Sequence, residues 1–406
     1  MTATASSTRA DASRIVPGTE RRVLLLSMRR LANLVAYCTQ YEFEDLIAEV
    51  TGADRVEVAG EQSLELSRRA YKLVRLTSGS QDLARRLAPS PSTVLLDRDY
   101  ELFCPVFNHT HELYALASVP NWRERCRVAV CWINEVWAHL LPRYLVELLG
   151  RFDHIFLGMR HAVEDVARIS GRPCSYLPLA VDVVRFSPWP DAPARSIDVC
   201  NIGRRSPVTH EALVRLASAR KIFYYFDTFA EGAGQYKNQR TFRVANPAEH
   251  RLMLSNVLRR ARYYIVARSR INDPAFANRG EEISSRFYEG AAAGAVMLGE
   301  PPSTPEFERQ FGWPDAIVRM PFDCPDVAQV LRDLDSDPER LARIERDNFC
   351  NAALHHDWVH RLASIFAAAG VTQTPAMLER ERLLRQLAEQ AAQSRGAARS
   401  IAAGVA

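Results

Sequence analysis

The chain has 406 residues, of which 47% are hydrophobic and 25% are charged, and its formal net charge is +4. This length predicts two domains, because a single hydrophobic core rarely grows so large. The composition is typical of a soluble globular protein, and the small net charge does not indicate nucleic-acid binding. No run of 18 apolar residues occurs, so the sequence predicts no transmembrane segment.

Cysteine and lysine usage indicates a compartment and an origin. The eight cysteines are scattered without a CxxC pair, which predicts free thiols in a reducing cytoplasm rather than disulfides or a zinc site. The histidine pairs at 109/111 and 355/356 lack the spacing of a known metal site, so we expect no metal and no cofactor. Nearly all basic residues are arginines, which is typical of a GC-rich bacterial genome.

The predicted elements of the first half alternate between strand and helix. Residues 1–20 are small and polar and contain no apolar signal core, so they are predicted to be a disordered leader. The alternation that follows predicts a parallel sheet covered on both faces. The predicted strands are 22–27, 55–58, 93–96, 100–107, 127–133, 154–157 and 174–177. The predicted helices are 41–50, 63–76, 110–119, 140–149 and 162–169.

A proline-rich stretch separates the two halves and predicts a linker at 188–196, between domains 21–187 and 197–370. The second half repeats the alternation. Its predicted strands are 197–202, 222–226, 263–266, 295–298 and 316–319. Its predicted helices are 210–219, 247–261 with Asn246 as N-cap, 304–311, 327–334 and 338–369. The helical tail, 371–406, contains an amphipathic helix at 377–394, which could pack on the body or mediate self-association.

Two carboxylates with a fixed spacing lie in the second half. Glu281 and Glu289 are eight residues apart, and Glu289 is followed by the run Gly-Ala-Ala-Ala-Gly-Ala and then by a short apolar strand. We interpret the run as a tightly packed helix N-terminus. A carboxylate there can accept hydrogen bonds from two ribose hydroxyls, and the free N–H groups can meet a phosphate. The pattern indicates a sugar-nucleotide site; the alternative is a small-residue helix that docks on a sheet and carries two solvated glutamates.

The Glu281-x7-Glu289 pattern resembles the Glu-x7-Glu signature of retaining glycosyltransferases of the GT-B fold, family 4. The Ser-Arg-Phe-Tyr-Glu form at 285–289 is similar to the CgeB-like, spore-maturation-type subgroup. The resemblance implies an α/β fold in which two Rossmann-like domains, each a doubly wound parallel sheet, face a cleft. It also implies that the C-terminal helix crosses back to the first domain.

Two further segments carry the same resemblance. The stretch Pro-Leu-Ala-Val-Asp at 178–182 is similar to the segment that ends the first domain of these enzymes, with Ala180 where glycine is usual. The His-x-Trp-x-x-Arg stretch at 356–361 resembles one in the terminal helix of the CgeB-like subgroup. Trp358 could equally be an ordinary core residue.

The resemblance assigns donor-binding roles around the two carboxylates. Glu289 would bind the ribose hydroxyls, whereas Glu281 and the backbone after it would contact the donor sugar. Glu282 offers a second carboxylate in the same turn. Arg286 shares a helix face with Glu289, so it could orient that carboxylate or contact phosphate. The donor residues implied in this segment are Glu281, Glu282, Ile283, Ser284, Ser285, Arg286 and Glu289.

The diphosphate would be neutralised by Gly203, Arg204 and Arg205, which follow the first strand of the second domain. The family pattern has Gly-Arg and then a lysine several residues later, and this lysine is absent here. Lys237, Arg205 or Arg286 could replace it, since an arginine fork reaches two phosphate oxygens at once. The alternative for the paired arginines is a solvated loop.

The acceptor side is less defined. Family members often carry a histidine at the end of a central strand, where this chain has Asn134 and Glu135. Glu135 could act as a base or hold the acceptor, and Asn134 could cap a helix. His109 and His111 lie at another strand-to-helix turn. No glycine-rich loop follows the first strand, which argues against a dinucleotide site there.

The sequence therefore predicts a cytoplasmic, metal-independent hexosyltransferase with Glu281, Glu135 and Arg204 as candidate catalytic residues. Its donor would be a nucleoside-diphosphate sugar, with UDP or GDP as the nucleotide, and its acceptor a glycan or a small molecule. The alternatives are a related enzyme, such as a nucleotide-sugar epimerase or a phosphorylase, and an inactive nucleotide-sugar-binding scaffold.

Overall fold

The computed structural model describes residues 12–30, 34–58, 70, 73–74, 76–79, 92–228, 243–272 and 281–393. The described residues form two compact units. The first contains the residues up to Pro178, together with Arg243–Pro247 and Arg361–Met377, and the second contains the remainder. The chain thus returns to the first unit near its end, as predicted. The predicted domain boundaries themselves remain a prediction.

The first unit is built on a sheet of eight described strands. They are β1 Arg14–Val16, β2 Val23–Ser27, β3 Asp54–Glu57, β4 Tyr100–Phe103, β5 Val106–His109, β6 Cys126–Glu135, β7 His154–Leu157 and β8 Cys174–Tyr176. Their order is β1-β3-β2-β4-β6-β7-β8, and β5 also pairs with β6. β1 is antiparallel to β3, and the other pairs are parallel. The α/β class with parallel pairing is confirmed.

Helices connect these strands and cover the sheet with apolar side chains. The α-helices are α1 Cys38–Thr51, α2 Trp122–Arg125, α3 Arg143–Leu149 and α4 Val163–Ser170. The 3₁₀ helices are Val35–Tyr37, Thr110–Ser118, Ala138–Leu140 and Arg160–Ala162. Trp122 lies at the centre of the core, with its ring 5.0 Å from that of Phe103 and 5.1 Å from that of Phe152. Burial of such large rings is the main stabilising contribution to a core of this kind.

The second unit is built on a five-stranded parallel sheet with the order β10-β9-β11-β12-β13. Its strands are β9 Ile197–Asn201, β10 Tyr224–Phe226, β11 Ala261–Ala267, β12 Val296–Glu300 and β13 Val318–Arg319. The α-helices of the described residues from 179 onward are α5 Val183–Phe186, α6 Pro207–Ser218, α7 Pro247–Leu258, α8 Ser285–Ala292, α9 Pro305–Phe311, α10 Val327–Asp335, α11 Pro338–His355, α12 Trp358–Ala369 and α13 Pro375–Gln393. The chain order reverses between β9 and β11, as in doubly wound sheets.

The described part of the predicted tail packs on the body: residues up to Met377 belong to the first unit, and the helix from Leu378 onward belongs to the second. Arg380 of α13 is buried and binds both Asp357 oxygens, through Nε at 2.9 Å and Nη2 at 2.8 Å. Its Nη2 also donates to Asp182 at 2.6 Å. Leu384, Leu387, Ala388 and Ala391 are buried on the same helix. Of the two roles left open for this helix, packing on the body is the one described; self-association remains a prediction.

Several predicted elements differ from the structure. Residues 14–16, assigned to the disordered leader, form β1 because they pair with β3. The strand predicted at 100–107 is two strands interrupted at Cys104–Pro105, where proline has no N–H to donate. Residues 93–96 form no strand, and 110–119 form a 3₁₀ helix rather than an α-helix. Most of the helix predicted at 63–76 lies outside the described residues.

The helix predicted over 338–369 is divided at His356 and Asp357. Asp357 pairs with Val181 in an isolated bridge. Its carboxylate accepts hydrogen bonds from the backbone N–H groups of Val183 and Val359, both at 2.9 Å. Asp357 therefore caps α12 and ends the continuous helix.

All eight cysteines are free thiols, as predicted. Within the ranges that the structure describes, no helix is both long and apolar enough to cross a membrane.

Candidate functional site

A pocket lies at the carboxyl edge of the second unit's sheet. Asn201 lines it at the end of β9, Ile265 to Ala267 at the end of β11, and Gly299 in β12. It lies where the strand order reverses, between β9 and β11. The loops after two such strands run in opposite directions, so a crevice opens between them, and ligands of doubly wound sheets bind there.

Two glycines shape this pocket. Gly203, in the turn after β9, has a φ of +81°, which side-chain-bearing residues rarely adopt. A Cβ on Gly203 would also lie 3.7 Å from Nη2 of Arg286. Gly299 has a φ of +154°, and a Cβ there would lie only 1.8 Å from the carbonyl oxygen of Val266. Gly299 therefore permits the close approach of β12 to β11 beneath the pocket.

Three arginines line the pocket, and all three are candidates from the sequence. Arg204 and Arg205 follow β9, and Arg286 comes from the first turn of α8. Arg286 Nη1 donates to the carbonyl oxygen of Arg204 at 3.1 Å, and Arg204 Nη1 donates to Asn272 Oδ1 at 3.1 Å. The structure thus brings together arginines from two segments that are about 80 residues apart in the sequence. Arginines grouped in this way can bind an anion such as a phosphate.

The three arginines differ in how their charge is balanced. Arg205 Nη2 lies 2.8 Å from Asp227 Oδ1 and donates to the Asp227 carbonyl oxygen at 2.5 Å. Asp227 also accepts from the Gly203 backbone N–H at 3.1 Å, which fixes the turn. Arg286, in contrast, forms no ion pair with any residue in the described ranges. Its charge is therefore the more available to an anionic ligand.

The helix that carries Arg286 begins earlier than the sequence analysis assumed. α8 starts at Ser285 with Ser284 as its N-cap residue, and Ser284 Oγ donates to the carbonyl oxygen of Ala267 at 2.7 Å. Glu289 thus lies in the middle of α8, and the prediction that it opens the helix was wrong. The small residues after it form the last turn of α8. Gly290 must be small because a Cβ there would lie 2.6 Å from Met297 Sδ.

Glu289 is buried and paired with an arginine that the sequence analysis did not identify. Its Oε1 accepts a hydrogen bond from Arg251 Nη1 at 2.5 Å, and the two residues are 3% and 2% exposed. The guanidinium of Arg251 also lies 4.9 Å from the centre of the Phe186 ring. The arginine that contacts the Glu289 carboxylate is therefore Arg251, whereas Arg286 donates to the Arg204 carbonyl oxygen instead.

A sequence signal for Arg251 existed. Arg251 lies three residues before Leu254 and seven before Leu258 in α7, so the three share one helical face. Leu254 and Leu258 are buried. An arginine in an apolar row of this kind needs an acidic partner, since a buried unpaired charge is strongly destabilising.

Glu281 ties its loop to neighbouring segments. Its Oε1 lies 3.3 Å from Arg268 Nη1, its Oε2 accepts from the backbone N–H of Ser303 at 2.6 Å, and its side chain is one third exposed. The Glu282 carbonyl oxygen accepts from the Ser269 N–H at 2.9 Å, and Ile283 is buried. Neither Glu281 nor Glu289 lines the arginine pocket. Their assigned roles remain predictions.

The acceptor candidates lie at one edge of the first unit's sheet. His109 ends β5 and is the register partner of Glu135, which ends β6. His109 Nε2 is 2.6 Å from the Tyr37 hydroxyl, and Glu135 Oε1 accepts from Trp137 Nε1 at 3.0 Å. The two side chains that the sequence could place only loosely are thus neighbours.

The other two acceptor candidates have different settings. Asn134 lies within β6, so it does not cap a helix as the alternative proposed. His111 is an exposed residue of the 3₁₀ helix that follows β5. Their roles remain predictions.

Two buried glutamates near the same edge of the first unit's sheet were not identified from the sequence. Ser27 Oγ donates to Glu44 Oε2 at 2.5 Å, and burial raises the pKa of Glu44 to about 7 against the attraction of Arg29. Burial likewise raises the pKa of Glu112 to about 7, against hydrogen bonds from the Asn108 backbone and side-chain amides. Both follow or face strand ends. The charge of Glu44 also raises the pKa of Glu112, and the charge of Asp45 raises that of Glu44.

Lys237, a candidate for phosphate contact, lies outside the described residues. Among the residues that are described, no three His, Cys, Asp or Glu side chains are grouped closely enough to hold a metal ion.

Comparison with known families concerns the second half of the chain. Residues 246–367 match a family model described as glycosyl transferase-like. The matched segment includes Arg251, Glu281, Arg286 and Glu289, whereas Gly203 to Arg205 lie outside it. No curated protein matches the chain.

Several solved structures are distantly similar to this chain. TarM from S. aureus, in a mutant form bound to fondaparinux, α-GlcNAc-glycerol and UDP, is 8% identical with a TM-score of 0.41, covering 66% of this chain and 55% of TarM. A glycotransferase of kitacinnamycin is 13% identical with a TM-score of 0.36, covering 87% of this chain and 100% of that one. A glycosylation-associated protein complex (Gap123) from Streptococcus agalactiae is 11% identical with a TM-score of 0.34, covering 71% and 55%. The chain thus spans about half the length of TarM and of the Gap123 protein.

Proposed function

We propose that this protein is a glycosyltransferase that moves a hexose from a nucleoside-diphosphate sugar to an acceptor hydroxyl. The observation that carries the proposal is the pocket at the strand-order reversal of the second unit, with Arg204, Arg205 and Arg286 on its lining. The glycosyl transferase-like match over residues 246–367 supports it.

The arginines account for the chemistry that such a reaction requires. Cleavage of the bond between sugar and diphosphate leaves negative charge on the departing phosphate oxygens. Guanidinium groups that are already fixed in place stabilise this developing charge without reorganising during the reaction. Arg286 is held by its hydrogen bond to the Arg204 carbonyl, so its fork is oriented before a ligand arrives.

Fixed positive charge of this kind can replace a divalent cation, so we propose that transfer is metal-independent. In the same proposal Glu289 binds the ribose, and Glu281 with the backbone of Glu282 to Ser284 contacts the sugar. Glu135 and His109 are the candidates for the acceptor hydroxyl. Retention of the anomeric configuration follows from the resemblance of the Glu281-x7-Glu289 pattern and is part of the proposal.

Calorimetric titration of the full chain with UDP, GDP, ADP and TDP tests the donor site, once with EDTA and once with Mg²⁺. We expect one nucleotide to bind selectively with or without the metal. The double variant Arg204→Gln/Arg286→Gln should lose this binding, whereas Arg332→Gln, an exposed arginine of α10, should keep it. Absence of binding by all four nucleotides would overturn the proposal.

Turnover separates the rival functions. The sugar nucleotide of the selected base is incubated with and without a panel of glycan and small-molecule acceptors, and nucleoside diphosphate release and sugar products are measured. Acceptor-dependent release supports transfer, and NMR of the product shows whether the anomeric configuration is retained. An isomerised sugar formed without acceptor indicates an epimerase, and binding without any turnover indicates a scaffold.

A further inference from the structure

Arg251 carries a positive charge inside the second unit, away from the arginine pocket. The residue is 2% exposed, and it does not line the pocket with Arg204, Arg205 and Arg286. A charge removed from water in this way is tolerated only when a partner compensates for it. Its contacts therefore indicate what the charge is for.

The guanidinium of Arg251 contacts an aromatic ring and a carboxylate. Its Cζ lies 4.9 Å from the centre of the Phe186 ring, and its Nη1 donates to Glu289 Oε1 at 2.5 Å. Stacking on an aromatic face and pairing with a carboxylate suit the flat guanidinium group, and a lysine could not make both contacts equally well. Arg251 thus restrains the orientation of the Glu289 carboxylate.

The second oxygen of Glu289 has a different setting. Oε2 accepts no hydrogen bond from the residues that the structure describes. Oε2 is also not completely buried by the described residues, so it keeps some access to solvent. One carboxylate oxygen is therefore committed to Arg251, and the other remains available as an acceptor.

We propose that Arg251 is a positioning residue that holds the Glu289 side chain oriented so that Oε2 accepts a hydrogen bond from a ribose hydroxyl of the donor. The inference rests on the proposed function, since it needs a ribonucleotide at this site. An acceptor that is fixed in place before the ligand arrives loses less entropy on binding. Selection for ribose thus depends on a residue that does not itself contact the ligand.

The test compares the affinities of two probes by calorimetry on the full chain. One probe is the ribonucleoside diphosphate that binds most tightly among UDP, GDP and ADP, and the other is its 2′,3′-dideoxy form. For wild type we expect the ribonucleotide to bind about 10- to 100-fold more tightly, as for a hydrogen bond to a charged group. In Arg251→Met the ratio should fall below about threefold, because Glu289 loses its restraint and its compensating charge.

Two further variants keep the test decisive. Arg251→Lys retains the charge next to Glu289, so it provides a foldable variant if Arg251→Met does not fold, and its ratio should lie between those of wild type and Arg251→Met. Arg260→Met removes a guanidinium that hydrogen-bonds Asn256 and no other residue in the described ranges, and should keep the wild-type ratio.

The possible outcomes are distinguishable. A purely structural role for Arg251 would lower both affinities and leave their ratio unchanged in both variants, which would overturn the inference. A wild type that binds both probes equally would overturn it too, while leaving the proposed function standing. A wild type that binds neither probe would contradict the proposed function itself.

Discussion

The two units differ in how their buried carboxylates are compensated. In the second unit, buried carboxylates are matched by arginines, as in Arg251 with Glu289 and Arg380 with Asp182 and Asp357. In the first unit, Glu44 and Glu112 are buried but only partly compensated, so burial raises the pKa of each to about 7.

The difference shows what each unit is suited to do. The buried carboxylates of the second unit already have arginine partners, so a further arginine such as Arg286 adds positive charge that an anionic ligand can use. Carboxyls that titrate near neutral pH exchange protons under physiological conditions instead, as a base near an acceptor would. The contrast predicts different responses to substitution and to pH.

The largest effect should come from breaking the buried ion triad of the second unit. Arg380→Met leaves Asp182 and Asp357 without their partner, so we expect a loss of about 3–5 kcal/mol in the free energy of unfolding. Urea denaturation monitored by tryptophan fluorescence measures it. Arg382→Met, on the exposed face of the same helix, should change stability by less than about 0.5 kcal/mol. Equal effects of the two substitutions would show that the triad has no special role.

The next largest effect should come from Arg286, the pocket arginine that has no ion-pair partner among the described residues. Arg286→Gln removes a guanidinium that has no ion-pair partner among the described residues, so donor turnover should fall about 100-fold in kcat/KM. Stability should change little, because the Arg286 side chain makes a single hydrogen bond with the described residues, to the carbonyl oxygen of Arg204. Steady-state kinetics with the matched sugar nucleotide checks this, with Arg332→Gln as the control. Unchanged kcat/KM would remove Arg286 from the donor site.

The first unit's buried glutamates should make stability depend on pH. Their folded-state pKa of about 7 lies above the ordinary 4.5, so the folded state binds more protons between these values. Stability should therefore fall as the pH rises through this window, by on the order of 3 kcal/mol for each glutamate, and level off above about pH 7. Urea midpoints at pH 5, 6, 7 and 8 measure the slope.

Neutral variants identify the groups responsible for that slope. Glu44→Gln and Glu112→Gln should each flatten it, because an amide does not titrate. Glu57→Gln is the control: burial acts to raise the pKa of Glu57, but hydrogen bonds from Arg14 and the attraction of Arg55 outweigh it and lower the pKa. Its contribution is lost only as the pH falls through the acidic range, so the slope between pH 5 and 8 should persist. A wild type whose midpoint rises with pH would contradict the assignment.

The sequence predicts those features that depend on neighbours along the chain. The strand at 154–157 and the helix that ends before Gly171 follow from local apolar periodicity and a left-handed glycine. The arginine pocket was also predictable, because strand ends of a parallel sheet meet at one edge.

What the sequence did not predict depends on distant partners. Arg251 and Glu289 are 38 residues apart, and the bond that ends a helix at Asp357 reaches 174 residues back to Val183. The raised pKa of Glu44 and Glu112 arises from packing against several elements, which periodicity does not reveal. The start of α8 is different: Ser284 and Ser285 are a local capping signal that the interpretation of Glu289 as a helix start passed over.

The smallest effect should come from the pocket arginine whose charge is already balanced. Asp227 neutralises Arg205, so the double variant Arg205→Gln/Asp227→Asn removes an ion pair without changing the net charge of the pocket. We expect kcat/KM for the donor to fall by less than about threefold, in contrast to the loss in Arg286→Gln. The same kinetic assay measures both. If the double variant lost as much activity as Arg286→Gln, Arg205 would bind the diphosphate directly, and the difference in charge balance would not determine which arginine serves the ligand.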